Sequence, residues 1–423
     1  MEEIIMKKYR KIISAVMASA MVASLFAGCG NSADSGSSSA DTAAPAADNA
    51  AADTTEAGSE TAAPAGNDGG ATIKIGGIGP TTGSAAVYGI AVQNAAQLAV
   101  DEINAAGGIN GVQIEFKFED DECDAEKSVN AYNTLKDWGM QMLVGAVTSG
   151  CSVAVSEKTA EDNMFQLTPS GSSVDCVKYD NAFRVCFSDP NQGMASAKYI
   201  GENAIASTVA VIYDSSDIYS SGIYEKFVAE AANQPFEIVS AEAFTADSKT
   251  DFSVQLQKAK DAGAELVFLP IYYTEASLIL SQSSTLGYAP IFFGCDGLDG
   301  ILNVENFDTS LAEGVMLLTP FAADAQDELT QNFVSAYKEK FGDTPNQFAA
   351  DAYDAVYAIK AAGEKAGITP DMDMSAICEA MKGAMPQISL DGLTGVGMTW
   401  DVSGEPNKDP KAVKITNGAY TAM

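Results

Sequence analysis

The sequence predicts an α/β fold made of two doubly wound lobes. Three observations lead there. From Thr72 onward, short apolar runs alternate with amphipathic segments of helical period. Apolar strands separated by helices form parallel sheets covered on both faces. Near residue 192 the alternation restarts with a second series of similar size. The chain has 423 residues, more than one small core organises.

The elements follow in order. "TIKIGGIG" (72–79) is a strand ended by glycines, and 88–108 is a helix with Ala91, Ala95, Leu98 and Ile103 on one face and Gly107-Gly108 as its stop. "VQIEFKFEDD" alternates as a strand, followed by a helix at 125–138 and the strand "MQMLVGAV" (140–147). A helix at 152–163, the strand "MFQLTP" (164–169) and the extended piece "AFRVCFS" (182–188) complete the first series. The second opens with a helix near 192–203. It continues with strand "TVAVIYD", helix 220–232, strand "FEIVSAEAF" and helix 252–261. Strand "AELVFLPIY", helix 275–286 and strands "PIFFGCDG" and "GVMLLTPF" come next. Helices near 327–341, 347–366 and 374–383 precede two stretches read as short strands, "VGMTWD" (396–401) and "AVKITNGAYT" (412–421).

Ahead of Thr72 the chain reads differently. "MKKYRKIISAVMASAMVASLFAGC" has a basic start and an apolar, small-residue stretch ending at Cys29. This pattern is a secretory signal over 1–28, with Met6 as a plausible start. Ala-Gly-Cys after that run resembles a bacterial lipobox, which implies lipidation of Cys29; Phe26 departs from the usual Leu. Residues 31–70 hold no aromatic, Leu, Ile, Val, Lys or Arg, so 29–71 is expected to be a disordered tether. Such a tether spans roughly 35 Å. The expected location is extracytoplasmic, lipid-anchored to the bacterial cell membrane.

Composition narrows the function classes. A net charge of −33 repels nucleic acid and anionic membrane from the folded part. The absence of histidine removes Ser-His-Asp and Cys-His catalysis and histidine-ligated zinc. The acids Asp120, Asp121, Glu122 and Asp124 lack EF-hand spacing and read as a solvated loop, so no metal is expected. Six cysteines besides Cys29 show no CxxC spacing. Cys176 with Cys186, and Cys123 with Cys151, are either local disulfides or buried thiols. Trp138 and Trp400 read as packing residues.

Ligands of wound sheets bind beyond the carboxyl ends of the strands. In the first series those ends carry Thr81, Thr82, Tyr88, Ser149, Ser170, Gly171 and Ser172. In the second they carry Asp214 to Tyr219, Tyr272, Tyr273 and Asp296. Small hydroxyls and free N–H groups at helix starts suit a carboxylate. An acid with aromatic faces suits an ammonium. The two sets together describe an amino-acid zwitterion held between lobes.

These pieces, "IKIGGIGPTTGSAAVYG", "AVDEINAAGGINGVQIEF", "DDECDAEKSV" and "FQLTPSGSS", resemble the type I periplasmic binding protein fold, over about 72–423. The branch is the leucine/isoleucine/valine-binding receptors of ABC transporters. The resemblance implies three chain crossings forming a hinge, placed near 188–190, 319–321 and 395–399. Lobe 1 would be 72–189 with 320–396, and lobe 2 190–319 with 397–423. It implies that Ser149 binds the ligand carboxylate, that Ser170 offers its carbonyl to the amine, and that Ser172 serves both, with Gly171 between them. Asp296 stands where the family has an acid, often Glu, for the ammonium. Tyr88, Tyr219 and Tyr272 fall among the pocket aromatics. The family's disulfide has one cysteine at Cys123, but its partner position is Thr148, so that bridge is shifted or absent here.

The expected function is a solute-binding lipoprotein, not an enzyme. It delivers an amino acid, branched-chain or otherwise apolar, to an ABC permease and its ATPase subunits. It is expected to be a monomer that uses no cofactor. The alternatives are a sensory receptor of the same fold, or a receptor for an amide or other small carboxylate.

Overall fold

The computed structural model describes residues 70–423; Cys29, the signal segment and nearly all of the tether lie outside the described residues. The first series forms a five-stranded sheet in the order β2-β1-β3-β4-β5, all parallel. Its strands are β1 (Ile73–Gly79), β2 (Ile114–Asp120), β3 (Met142–Val144), β4 (Phe165–Thr168) and β5 (Ala182–Arg184). Between them run α1 (Ala86–Ala105), α2 (Ala125–Trp138) and α3 (Ser149–Asp162).

The second series runs through α4 (Asp189–Glu202), β6 (Thr208–Asp214), α5 (Ile218–Ala231), β7 (Glu237–Phe244) and α6 (Ser253–Asp261). It continues with β8 (Leu266–Leu269), α7 (Tyr273–Thr285), β9 (Ile291–Gly294) and β10 (Met316–Thr319). The chain returns to the first body for α8 (Glu328–Phe341), α9 (Gln347–Ala366) and α10 (Met374–Ala384), and ends as β11 (Lys411–Thr416) and β12 (Ala419–Ala422). The second sheet has seven strands in the order β12-β11-β10-β9-β8-β6-β7. Its last pairings, β10 with β11 and β11 with β12, are antiparallel. Asn417 and Gly418, both at positive φ (54° and 72°), make the tight turn of the β11–β12 hairpin.

Strand residues alternate between two cores, as wound sheets require. Met142 and Val144 face the core shared with α1 and α9, whereas Leu143 faces Tyr132, Leu135 and Val155 of α2 and α3. In the second sheet, Val209 and Val211 face Ile200, Ile223 and Phe227, while Ala210 and Ile212 face the side of α6 and α7. Each such side chain taken fully out of water contributes roughly 1.5–3 kcal/mol before entropy is counted.

Three expectations change. "VGMTWD" is not a strand: it makes only single bridges, Leu390 with Met398 and Trp400 with Pro406. Its apolar alternation arises because Met398 and Trp400 are buried against the first body while Val396 is 89% exposed. The acidic loop is not wholly solvated: Asp121 is fully buried and accepts the Cys123 N–H at 2.9 Å. Burial pushes its carboxyl up to about 6. Asp124 caps α2 through the N–H groups of Glu126 and Lys127. Finally, α3, α5 and α7 begin two or three residues earlier than the sequence reading placed them, at Ser149, Ile218 and Tyr273. Ser149 and Tyr219 therefore lie in first turns, and Tyr272 is an N-cap position. First turns carry backbone N–H groups without intrahelical partners.

The segment 400–408 is bonded to the first body. The Trp400 indole N–H donates to the Arg184 carbonyl at 2.6 Å, and Glu405 pairs with the Arg184 guanidinium at 3.1 Å. Lys408 Nζ donates to the Val185 carbonyl (3.0 Å), Asp351 Oδ1 (2.7 Å) and Thr394 Oγ1 (2.6 Å). All three charges of the Lys408–Asp351 and Arg184 groups are buried.

Candidate functional site

The two sheets point strand ends at one another across a cleft. Tyr88, Ser149, Ser170, Tyr219, Tyr272 and Asp296 line a single small cavity there, together with Val147, Thr148, Gly297 and Phe348. The cavity holds about 10 Å³, room for one water molecule, so the lobes are closed on one another. The closing contacts are specific. The Tyr88 hydroxyl, from α1, donates to the Gly297 carbonyl of the second lobe. The Val87 N–H donates to the Tyr273 hydroxyl at 3.2 Å, and the Thr274 hydroxyl to the Ser84 carbonyl at 2.7 Å.

On the first-lobe side, Ser149 Oγ accepts the N–H groups of Ser172 and Ser173, each at 3.2 Å. A hydroxyl that already accepts two bonds has its proton left to give. Ser172 Oγ stands 3.5 Å away. This corner is thus a donor site, placed in the first turn of α3, and it is complementary to an anion. The Ser170 hydroxyl is spent on the Val147 carbonyl at 2.7 Å, which leaves its backbone for the cleft.

Gly171 does not join them. Its N–H donates to Thr168 Oγ1 at 2.8 Å and its carbonyl accepts from Arg184 at 3.0 Å. A Cβ there would stand 2.8 Å from Ser152 Oγ and Thr168 Oγ1, so the glycine serves a close packing contact. Its polar groups are engaged within the first lobe, against the expectation of a ligand contact.

On the second-lobe side, Asp296 is 4% exposed and has no cationic partner among the described residues. Tyr219 donates to its Oδ1 at 2.7 Å, and the Asp296 N–H donates to Gln192 Oε1 at 3.2 Å. Burial pushes the carboxyl up to about 7, while the bond from Tyr219 pulls it down. The Gly297 N–H donates to the Tyr219 hydroxyl at 2.9 Å, and a Cβ on Gly297 would fall 2.6 Å from that oxygen. Tyr219 stacks on Tyr272 (4.9 Å between ring centres), and Tyr88 stacks on Phe348 (4.0 Å). A carboxylate held buried without a counter-ion, with aromatic faces around it, is a site for a cation.

Sequence reasoning missed Gln192, Asp189, Arg184 and Phe348. Asp189 is buried at the start of α4, where its N–H donates to the Ser172 carbonyl at 2.9 Å and its Oδ1 has no partner among the described residues. Burial holds its carboxyl well above the usual range. The only signal was its place next to Pro190 at an expected crossing. Arg184 closes the serine loop from behind by donating to the Gly171 and Ser172 carbonyls. The cysteines are thiols: all six described ones are free. Cys123 Sγ lies 3.6 Å from Thr148 Oγ1, and a hydrogen bond from Cys151 holds the Cys123 thiol below its ordinary range. Cys176 is directed to the Ser149 carbonyl at 3.7 Å and not to Cys186.

Two wound lobes closed over a cleft define a ligand-binding fold, and the comparisons agree. Residues 72–419 match the family described as periplasmic binding protein, and the chain belongs to that family. It is 33% identical over 337 residues to Leu/Ile/Val-binding protein homolog 3 of Brucella melitensis, covering 79% of this chain and 89% of the relative. It is 30% identical to the leucine-, isoleucine-, valine-, threonine-, and alanine-binding protein of Pseudomonas aeruginosa, covering 74% and 82%. Among solved structures it is similar to the branched-chain amino acid transporter substrate binding protein LivJ of Streptococcus pneumoniae in complex with isoleucine. That match has a TM-score of 0.76 and 30% identity, and covers 83% of this chain and 98% of the other. All three are named as binding proteins, the third as that of a transporter, and the fold is that of the solved structure.

Proposed function

We propose that this protein captures an α-amino acid with an aliphatic side chain between its lobes and delivers it to an ABC permease. The observation that carries this is the buried Asp296 carboxylate, without a cation, facing the Ser149 hydroxyl across one closed cavity. Ser149 gives its proton to the ligand carboxylate and the Ser172 hydroxyl adds to it, while the Ser172 N–H holds Ser149 Oγ in place. Asp296, oriented by Tyr219 and Gln192, pairs with the ammonium, and the Ser170 carbonyl takes a further ammonium hydrogen. Tyr88, Tyr272 and Phe348 enclose the side chain. The cavity is too small for an amino acid in this arrangement, so the ligand enters when the lobes part, and the hinge then closes over it less far than it is closed here.

The lobes in this reading are 72–189 with 320–408, and 190–319 with 411–423. This puts the third crossing after Lys408 instead of near 395–399, a reading supported by the bonds of Trp400, Glu405 and Lys408 to Arg184 and Val185. The signal segment, lipidation at Cys29 and the tether hold the receptor outside the cell membrane. Binding is non-covalent, with no catalytic step, and the receptor works as a monomer.

A thermal-shift panel of the standard amino acids, urea, short amides and aromatic carboxylates tests the assignment. A ligand at a hundred times its Kd adds about 2.7 kcal/mol of stability. Shifts with leucine, isoleucine or valine support it; shifts only with ligands lacking an α-amino group contradict it.

A further inference from the structure

A larger cavity, of about 370 Å³, lies elsewhere between the lobes and shares no residue with the amino-acid cleft. The second lobe contributes Asp299, Leu317 and the β11–β12 hairpin around Tyr420; the first contributes Lys338 and the loop 343–346 before α9. Its third wall is Thr319 to Asp324, the second chain crossing. The lobes are tied at its edge. Asp299 Oδ2 accepts the Gln347 N–H at the start of α9 (2.8 Å), and Asn303 donates to Asp343 at 3.3 Å.

Asp299 is 4% exposed, and its Oδ1 has no hydrogen-bond partner among the described residues. The Tyr420 hydroxyl beside it accepts the Gly300 N–H at 3.0 Å. Asp324 and Asp343 also line the cavity, against the single base Lys338, and the remaining wall is largely apolar. A buried carboxylate with one oxygen left over, in an acid-rich chamber with apolar sides, favours a cation carrying an apolar body. We propose that this hinge-side cavity is a second ligand site, for a small organic ammonium, and that its occupation favours the closed receptor. The second part follows because the cavity is walled by both lobes in the closed arrangement, so a ligand filling it binds that arrangement better.

The test is calorimetric titration of the full chain with 2-phenylethylammonium, with 2-phenylethanol as the uncharged control. Saturable 1:1 binding is expected with a Kd near or below about 1 mM. Asp299→Asn keeps the acceptor for the Gln347 N–H, so the fold is retained, and it should weaken binding about tenfold or more. Ala419→Trp, at an exposed position on the hairpin rim, should block the cavity without touching Asp299. Asp296→Asn should leave binding of 2-phenylethylammonium unchanged. Binding lost in Asp296→Asn and kept in Asp299→Asn would place the ammonium in the amino-acid cleft and overturn the proposal. So would equal binding of the alcohol, or no saturable binding up to about 10 mM. The closed arrangement leaves about 10 Å³ in the amino-acid cleft, so with the ammonium bound the affinity for leucine should fall about fivefold or more; an unchanged leucine affinity overturns the coupling. If leucine itself does not bind while the ammonium does, the amino-acid assignment fails and this site stands.

Discussion

The Tyr219 hydroxyl donates to Oδ1 of Asp296 at 2.7 Å while accepting the Gly297 N–H at 2.9 Å. The tyrosine fixes the carboxylate without neutralising it. Asp296 is therefore oriented but, among the described residues, uncompensated by a cation, which costs stability. Replacing it by Asn removes the charge and keeps the shape. Asp296→Asn should weaken binding of any α-amino acid by about 2–5 kcal/mol, roughly 30-fold to several thousandfold. The ligand-free melting temperature should be unchanged or higher. Titration calorimetry and a melting curve on the same variant check both signs.

The pH dependence follows from the same group. Its carboxyl titrates at about 7 in the folded state, against an ordinary value of 3.8. Between these values the folded protein holds a proton that the unfolded chain has lost. From this group the ligand-free stability falls as pH rises from about 4 to 7. Ammonium binding needs the ionised form, so affinity should rise over the upper part of the same window and level off above it. Melting curves and titrations at pH 5, 6, 7 and 8 should run in opposite directions; affinity independent of pH would remove Asp296 from the site.

Ser149 accepts two backbone N–H bonds and has one proton to give. Ser149→Ala loses a hydrogen bond to a charged ligand group, worth about 1.5–3 kcal/mol, and so roughly 10- to 150-fold in Kd. The loss should be the same for every amino acid that binds, because the carboxylate is common to all. A loss confined to one side chain would assign Ser149 to the side-chain pocket.

Lys408 and Asp351 form a buried pair at the base of the first lobe, with Lys408 also bonded to Val185 and Thr394. Removing one partner leaves the other charge uncompensated. Lys408→Met should lower stability by about 3–5 kcal/mol, and Asp351→Asn in the same chain should recover part of it. Chemical denaturation of the single and double variants gives the comparison.

Much of the fold was legible because buried parallel strands are short, apolar and bounded by glycine or polar turns. "MFQLTP" and "TVAVIYD" need no partner sequence to be read. The cleft was legible for a related reason: in wound sheets the ends of strands meet ligands, so Ser149, Ser170 and Asp296 could be found by position. Residues whose meaning depends on distant partners were not. Arg184 meets Glu405 and Trp400 more than two hundred positions away. "VGMTWD" alternates like a strand because Met398 and Trp400 are buried by the first lobe, not because a neighbouring strand pairs with it. Gly171 looked like part of a polar cradle, yet its N–H turns back to Thr168. A sequence gives the type of residue in a loop but not the direction of each N–H.

The most direct test of the zwitterion clamp compares L-leucine with 4-methylpentanoate, which keeps the carboxylate and side chain and lacks the amine. Both are titrated into the wild-type chain by calorimetry at pH 8. The account predicts 1:1 binding of leucine and at least about a hundredfold weaker binding of the acid, the loss of a buried charge pair. Equal affinities would mean that Asp296 does not hold an ammonium, and would contradict the account.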